Sequence, residues 1–322
     1  MPERLSAATA TAAAGPTAGA GTPPARLGGL PLRIIPVALL RTRAPRAPGA
    51  PGAPRQPTAR RTPRPPGLGG RGSAHLIERH ARVYRHTWSV LISGFFEPLF
   101  YLLSIGIGLS KLVGTVVGPG GQPVGFTSFV APALLATSAM NGAVMDSTFN
   151  VFFRMKYAKL YDAALATPMR ADEIALGEVG WALIRGGIYS VAFMVIMLVM
   201  GLVHSVWAVL AVPTALLIGF AFAGAGLAAT TYMKSWQHFE FVLLATVPMF
   251  LFSTTFYPLS VYPRPVQVIV ECTPLYQGVV LLRGLSLGNL RPSLLWSVGY
   301  LAVMGVLGLA IGGRRISKLL LK

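Results

Sequence analysis

The stretch RMKYAKLYDAALATPMRADEIALGE (Arg154–Glu178) decides how this chain is organised, because it is a polar segment set between long apolar runs. It contains four basic and four acidic residues: Arg154, Lys156, Lys159, Arg170, Asp162, Asp172, Glu173 and Glu178. In a chain that carries few charges elsewhere, such a segment marks one side of a membrane. It is also long enough to form a docking surface for a partner.

The composition of the whole chain excludes an ordinary soluble domain. Of its 322 residues, 53% are apolar and 12% are charged, whereas soluble chains carry about 25% charged residues. Several apolar stretches approach or exceed the roughly 20 residues that a helix needs to cross a bilayer. The sequence therefore predicts an all-α integral membrane protein.

Hydropathy predicts six membrane-spanning helices: Trp88–Ser110, Phe126–Phe149, Gly180–Gly201, Val206–Thr230, Phe239–Phe256 and Ser293–Gly312. With the N-terminus inside, the cytoplasmic flanks of these spans hold twelve basic residues and the opposite flanks hold four. Basic residues concentrate on the cytoplasmic side of membrane proteins. We therefore expect both termini and the Arg154–Glu178 segment to be cytoplasmic in the cell membrane.

The net charge of +18 is concentrated at the N-terminus, where residues 1–72 hold eleven arginines and a single acid, Glu3. Residues 1–73 are rich in Ala, Pro, Gly and Arg and contain no aromatic residue, so we expect a disordered tail before a transmembrane domain over 74–322. The tail is either a polybasic arm for anionic lipids or a dispensable extension. No secretory signal peptide is expected, and this charge distribution does not indicate nucleic-acid binding.

The outer loop Tyr257–Leu290 is too apolar to be a plain solvated loop. Its apolar pieces Val266–Glu271 and Leu275–Leu285 are separated by Pro274 and are too short to span a bilayer. We therefore expect short re-entrant or interfacial helices before the last span. The other outer loop, Gly114–Gly125, is expected to be short and flexible.

Charged residues at membrane depth form a second group of candidates: Glu97, Asp146, Glu178 and Arg185. A charge in lipid is costly unless it is paired or hydrated. We therefore expect Arg185 to pair with Glu97 or with Asp146. Such a network either controls how the helices open or joins them as a static staple.

The sequence lacks the motifs of an ATPase or a hydrolase. It contains no GxxxxGK[ST] phosphate loop, no HExxH motif and no GxSxG motif. Its single cysteine, Cys272, and its five scattered histidines do not suggest a metal site. We expect no cofactor bound by this chain and no catalysis, which leaves transport with an outside energy source.

Three motifs together resemble the type-2 ABC exporter permeases, in the branch of NodJ and the daunorubicin-exporter subunit DrrB. They are FFEPLFYLLSIGIGLS (Phe95–Ser110), YDAALATPMRADEIALGEVGWALIR (Tyr161–Arg185), and FSTTFYPLSVYP followed by TPLYQGVVLLRGLSLG (Phe252–Gly288). The resemblance covers Glu78–Lys322 and leaves the Arg/Pro-rich tail outside. It implies a homodimer of six-span subunits, with separate ATP-binding subunits that carry ATP and Mg²⁺.

The resemblance also implies roles for particular segments. An interfacial helix would precede the first span at Ala74–Thr87, and a coupling helix for the ATPase would lie within Phe153–Ala166 and end before Pro168. The exit gate would be formed around Pro258, Pro274 and Leu275. The exposed face of the coupling helix would combine six residues: Arg154, Lys156, Tyr157, Lys159, Leu160 and Tyr161.

The leading hypothesis is a permease that exports an amphipathic substrate, either a lipid-linked glycan or a hydrophobic drug. The alternative is an ion-coupled secondary transporter that uses Glu97 and Asp146 as proton sites, although inverted repeats are not evident. A scaffold or membrane enzyme is a third class. An ATP-binding partner would favour the first hypothesis, and transport abolished by a protonophore but indifferent to ATP would favour the second.

Overall fold

A computed structural model of the chain describes residues 71–86, 96, 98–167 and 169–320. Most of the predicted tail, much of the first predicted span, Glu97 and Pro168 lie outside these residues. The described helices are α1 (Arg71–His86), α2 (Pro98–Val113), α3 (Phe126–Lys156), α4 (Leu160–Leu165), α5 (Ala171–Val199), α6 (Val206–Thr230), α7 (Trp236–Phe252), α8 (Arg264–Glu271), α9 (Pro274–Leu287) and α10 (Leu294–Leu320). The described strands are β1 (Thr115–Val117) and β2 (Pro123–Gly125).

Four of the helices, α3, α5, α6 and α10, are long and apolar enough to cross a membrane. Helices α2 and α7 are apolar but shorter, and they overlap the first and fifth predicted spans. The all-α membrane architecture is therefore confirmed. Six crossings and cytoplasmic termini stay predictions.

Helices α8 and α9 lie in the predicted outer loop and are bent by 83° with respect to each other. Pro274 occupies the first turn of α9, where its missing N–H removes no helical hydrogen bond. The hydroxyl of Thr273 accepts a hydrogen bond from the backbone N–H of Tyr276 and caps the helix. A bent pair of this kind is either a broken span or a re-entrant loop, so the re-entrant interpretation stays a prediction.

The loop between α2 and α3, predicted to be an outer loop, is more regular than expected, because β1 and β2 pair there as an antiparallel hairpin. Thr115 faces Gly125 and Val116 faces Val124 across the pair. The turn is closed by a 2.8 Å hydrogen bond from the Gly118 N–H to the Gln122 carbonyl. Two consecutive glycines, Gly120 and Gly121, supply its left-handed backbone.

The core is built around α6, which packs against α3, α5 and α10. Its approach to α10 is so close that a Cβ atom at Gly308 would meet the backbone of Gly224, and one at Gly312 would meet Leu227 at 3.0 Å. Small residues permit such contacts between helices in a bilayer. The glycines and alanines of these two apolar sequences therefore position the central helix pair.

Candidate coupling site

Helix α3 carries the chain from the membrane core into the predicted coupling segment without interruption. Near its C-terminal end it contains a π-helical turn at Asp146–Asn150, where the regular backbone pattern is widened. The Ser147 carbonyl in this turn accepts a 2.9 Å hydrogen bond from the Thr230 hydroxyl of α6. A partner from a neighbouring helix thus helps to satisfy the altered backbone.

The segment Phe153–Ala166, within which a coupling helix is expected, contains the end of one helix and a second, short helix. Helix α3 ends at Lys156, and α4 begins at Leu160 and ends at Leu165. Between them Lys159 adopts a left-handed backbone with φ of 45°, which interrupts an α-helix. The break changes the direction of the chain between Arg154 and the short helix that follows.

The break also corrects the expected exposed face of six residues. Lys156, Tyr157 and Lys159 are exposed, and we call these three residues the coupling surface. Leu160 is half-buried, whereas the side chains of Arg154 and Tyr161 point inward, with Tyr161 only 2% exposed. Arg154 and Tyr161 were therefore wrongly assigned to the exposed face.

The inward side chains meet Glu178 of α5, which is itself buried. The Tyr161 hydroxyl donates a 2.9 Å hydrogen bond to Glu178, and Arg154 forms an ion pair with the same carboxylate. Nε2 of His80, on α1, lies 3.3 Å from Glu178 Oε1. These four residues, which we call the Glu178 cluster, join the end of α3, helix α4, helix α5 and helix α1.

Burial and the negative charge of Glu178 together raise the pKa of Tyr161 well above its ordinary value. The Tyr161 hydroxyl consequently keeps its proton and acts as a donor toward the carboxylate. Sequence reasoning missed this role of His80, which it counted only among five scattered histidines that do not suggest a metal site. The sequence does contain a pattern that indicates an inward position for His80. Leu76, His80 and Tyr84 are spaced by four and therefore share one face of α1.

The charges at membrane depth form a second pair close by. Arg185 Nη2 lies 2.6 Å from Asp146 Oδ1, and both side chains are largely buried. Asp146 also accepts a 2.7 Å hydrogen bond from the Asn150 amide within the π-helical turn. This is one of the two pairings that the sequence predicts, while Glu97, the other candidate, lies outside the described residues.

The structure places the predicted exit-gate residues in different settings. Pro258 lies half-buried in the segment between α7 and α8, Pro274 begins α9, and Leu275 is fully buried. Sequence reasoning missed Arg283 of α9, whose buried guanidinium stacks 3.6 Å from the Phe129 ring centroid. Arg283 also donates to the carbonyls of Phe129 and Thr254, at 3.1 and 2.9 Å.

The Asp146–Arg185 pair can be tested with a double-mutant cycle. We expect Asp146→Asn and Arg185→Gln each to destabilise the protein, because each leaves a buried partner without its counter-charge. The double variant should lose less stability than the sum of the two, with a coupling free energy of about 0.5–3 kcal/mol. Unfolding by denaturing detergent in mixed micelles measures this difference, and strictly additive effects would contradict an energetic role for the pair.

Comparison with known proteins assigns the sequence of this chain to a family. A family profile described as "ABC-2 type transporter" matches residues 74–287, which run from α1 to the end of α9. The chain belongs to the ABC-2 type transporter family. It is therefore a multi-pass membrane permease of the ABC transporters, and the coupling surface, the Glu178 cluster and the Asp146–Arg185 pair all lie within the matched region.

Curated relatives support the same assignment of this permease. The chain is 31% identical over 208 residues to nodulation protein J of Rhizobium leguminosarum bv. trifolii, which covers 64% of this chain and 78% of the relative. It is 29% identical over 194 residues to nodulation protein J of Rhizobium meliloti (strain 1021), covering 60% and 72%. The protein of the same name from Azorhizobium caulinodans is 24% identical over 238 residues, covering 72% and 91%.

Proposed function

We propose that this permease is the membrane subunit of an ATP-driven exporter, and that a separate ATP-binding subunit docks on its coupling surface. One observation carries the proposal: the exposed Lys156, Tyr157 and Lys159 lie on the same short segment as the half-buried Arg154 and the buried Tyr161. The sequence contains no phosphate loop of its own, so ATP hydrolysis belongs to a partner chain.

The Glu178 cluster gives this surface a mechanical connection to the membrane. Arg154 and Tyr161 hold the two sides of the break at Lys159 against one carboxylate on α5. A displacement of the coupling surface is consequently passed to α3 and α5 together. ATP shifts the permease between inward and outward states only through contacts that differ between those states.

The proposed arrangement in the membrane follows from the loop charges and from α1. Both termini and the coupling surface face the cytoplasm, with six crossings in each copy and two copies in the cell membrane. Leu76 of α1 packs against Gly177 of α5, while Arg79, Arg82 and Arg85 are exposed. Exposed arginines beside a membrane helix suit anionic lipid headgroups.

The proposed cargo is an amphipathic molecule, either a lipid-linked glycan or a hydrophobic drug, which leaves past Pro258, Pro274 and Leu275. This substrate class rests on the apolar lining of the spans and on the resemblance to exporter permeases. The ion-coupled alternative with proton sites at Glu97 and Asp146 is not favoured. The chain belongs to an ABC transporter family, and Asp146 is held by Arg185.

Charge reversal on the coupling surface tests the docking of the ATPase. We expect Lys156→Glu with Lys159→Glu to weaken binding of the ATP-binding subunit about tenfold, or 1.4 kcal/mol, because orienting charges become repulsive. Both side chains are exposed, so the amount of folded permease should not change. Co-purification of the two subunits and ATP hydrolysis in liposomes measure the effect.

The matched control is Lys111→Glu, which reverses an exposed lysine in α2 on the predicted outer side. This variant should bind and stimulate the ATPase as the unaltered permease does. Undiminished binding and stimulation in the Lys156→Glu, Lys159→Glu variant would show that the ATPase docks elsewhere.

A further inference from the structure

Within a single copy of the chain, helix α7 is the apolar helix that the described bundle holds most loosely, and none of its residues is buried there. A cavity of about 590 Å³ lies between α7, α3 and α5 and is lined by Asn141, Arg185 and Thr246, among others. An open groove of about 420 Å³ lies between α7, α6 and the π-helical turn. A helix flanked by a cavity and a groove gives up few packing contacts when it moves.

The inner end of α7 is held in a different way, by an aromatic cluster. We define this cluster as Phe149, Phe152 and Phe153 of α3 together with Trp236 and Phe239 of α7. The ring centroids of Trp236 lie 5.0 Å from Phe149 and 5.2 Å from Phe153. Phe239 meets Phe152 edge to face at 5.2 Å. Edge-to-face packing at these distances is attractive and depends on ring orientation.

The aromatic cluster is continuous with the coupling surface. The Tyr157 ring lies 5.1 Å from Phe153, and Phe153 in turn touches Trp236. Tyr157 is 65% exposed and Trp236 is 44% exposed, so the outer edge of the cluster borders the place where a partner would dock. A partner that moves Tyr157 therefore also moves the rings that hold α7.

The relative packing of α3 and α7 decides which of these two helices moves when the shared rings are displaced. Helix α3 is 72% buried over its most apolar stretch, and its core side chains fix it against α6 and α9. Helix α7 has cavities where α3 has neighbours. A force applied to the shared rings is thus taken up by movement of α7, because close-packed interiors resist displacement.

We propose that the aromatic cluster is the link through which the coupling surface moves α7, with Trp236 as the positioning residue. This inference rests on the proposed function. It adds a second route by which displacement of the coupling surface reaches a membrane helix, beside the Glu178 cluster, which passes that displacement to α5. Since Val242, Thr246 and Phe250 of α7 form one wall of the 590 Å³ cavity, movement of α7 changes the size of that cavity. Through this link, movement of the ATPase changes the volume of the 590 Å³ cavity that Arg185 lines.

A fluorescent probe on α7 tests the link without knowledge of the substrate. Bimane is attached to Thr246→Cys in a Cys272→Ser background, since Cys272 is the single cysteine of the chain. The permease is reconstituted with the ATP-binding subunit that co-purifies with it, and emission is recorded before and after ATP with vanadate. We expect ATP to change the emission, and Trp236→Leu to reduce that change at least fivefold.

The controls separate a broken link from a broken protein. Trp236→Phe keeps an aromatic ring and should restore most of the response, and Trp296→Leu alters a 73% exposed tryptophan of α10 and should leave it intact. Trp236→Leu should bind the ATPase and support ATP hydrolysis within twofold of the unaltered permease. Its complex with the ATPase should elute at the same volume as the complex of the unaltered permease. A normal probe response in Trp236→Leu overturns the inference alone. An unaltered permease that neither binds an ATPase nor responds to ATP overturns the proposed function as well.

Discussion

Replacement of Glu178 by Gln should lower the free energy of unfolding by about 3 kcal/mol and abolish coupled transport. The variant retains most of the side-chain volume but removes the negative charge that faces Arg154, whose side chain is only 16% exposed. Loss of one partner from a buried ion pair leaves the other charge uncompensated, which typically costs 3–5 kcal/mol. The partial exposure of Arg154 places the expected value at the lower end of that range.

Unfolding in mixed micelles measures the stability, and ATP-dependent transport in liposomes measures the coupling. The matched control is Asp172→Asn, which removes a carboxylate on the same helix whose ion pair with Arg170 is exposed. Exposed pairs contribute about 0–1 kcal/mol, so this control should behave nearly as the unaltered chain. Equal unfolding curves for Glu178→Gln and Asp172→Asn would argue against the Glu178 cluster as a structural joint.

A second large effect is expected at the contact of α6 and α10. Gly308→Val should prevent close packing of these helices, because its Cβ atom would overlap the backbone of Gly224 and Ala225. Backbone atoms cannot move aside as a flexible side chain can, so the helices must separate. We expect a loss of more than about 3 kcal/mol, at the upper end of the cost of overpacking.

The same helix offers the control for this substitution. A Cβ atom at Gly299 would find nothing within 4 Å, so Gly299→Val should change stability by no more than about 0.5 kcal/mol. The yield of monodisperse protein after detergent extraction and the unfolding midpoint compare the two variants. If Gly308→Val is as stable as Gly299→Val, the close approach of the two helices is not required for folding.

The sequence predicts those parts of this protein that depend on the cost of placing a group in lipid. Long apolar runs indicate the all-α membrane fold, and the isolated Arg185 demands a counter-charge, which Asp146 supplies. The exposed lysines of the coupling surface follow from the same reasoning, because their charges need water. These inferences use each residue and its neighbours in the sequence and require no knowledge of tertiary contacts.

Other features depend on tertiary contacts that hydropathy does not encode. No Gly, Pro or Asn occurs at the break at Lys159, so the sequence does not predict it. The break is compatible with the inward position of Tyr161 against Glu178. The sequence therefore does not predict that the segment Phe153–Ala166 divides between two helices. Likewise Arg283 reads as an ordinary loop charge, whereas its burial is offset by carbonyls and a ring from residues distant in the sequence.

The π-helical turn at Asp146–Asn150 affects which directions the side chains on the two parts of α3 face. A turn of this kind accommodates one extra residue, which rotates everything beyond it by about 100° relative to an uninterrupted α-helix. The longer part of α3 before the turn, Phe126–Met145, packs in the core of the bundle, whereas the short part after it, Val151–Lys156, carries Arg154 to Glu178 and Phe153 to the aromatic cluster. The widened turn thus sets the rotational position of Val151–Lys156 about the helix axis separately from that of Phe126–Met145, although both belong to one continuous helix.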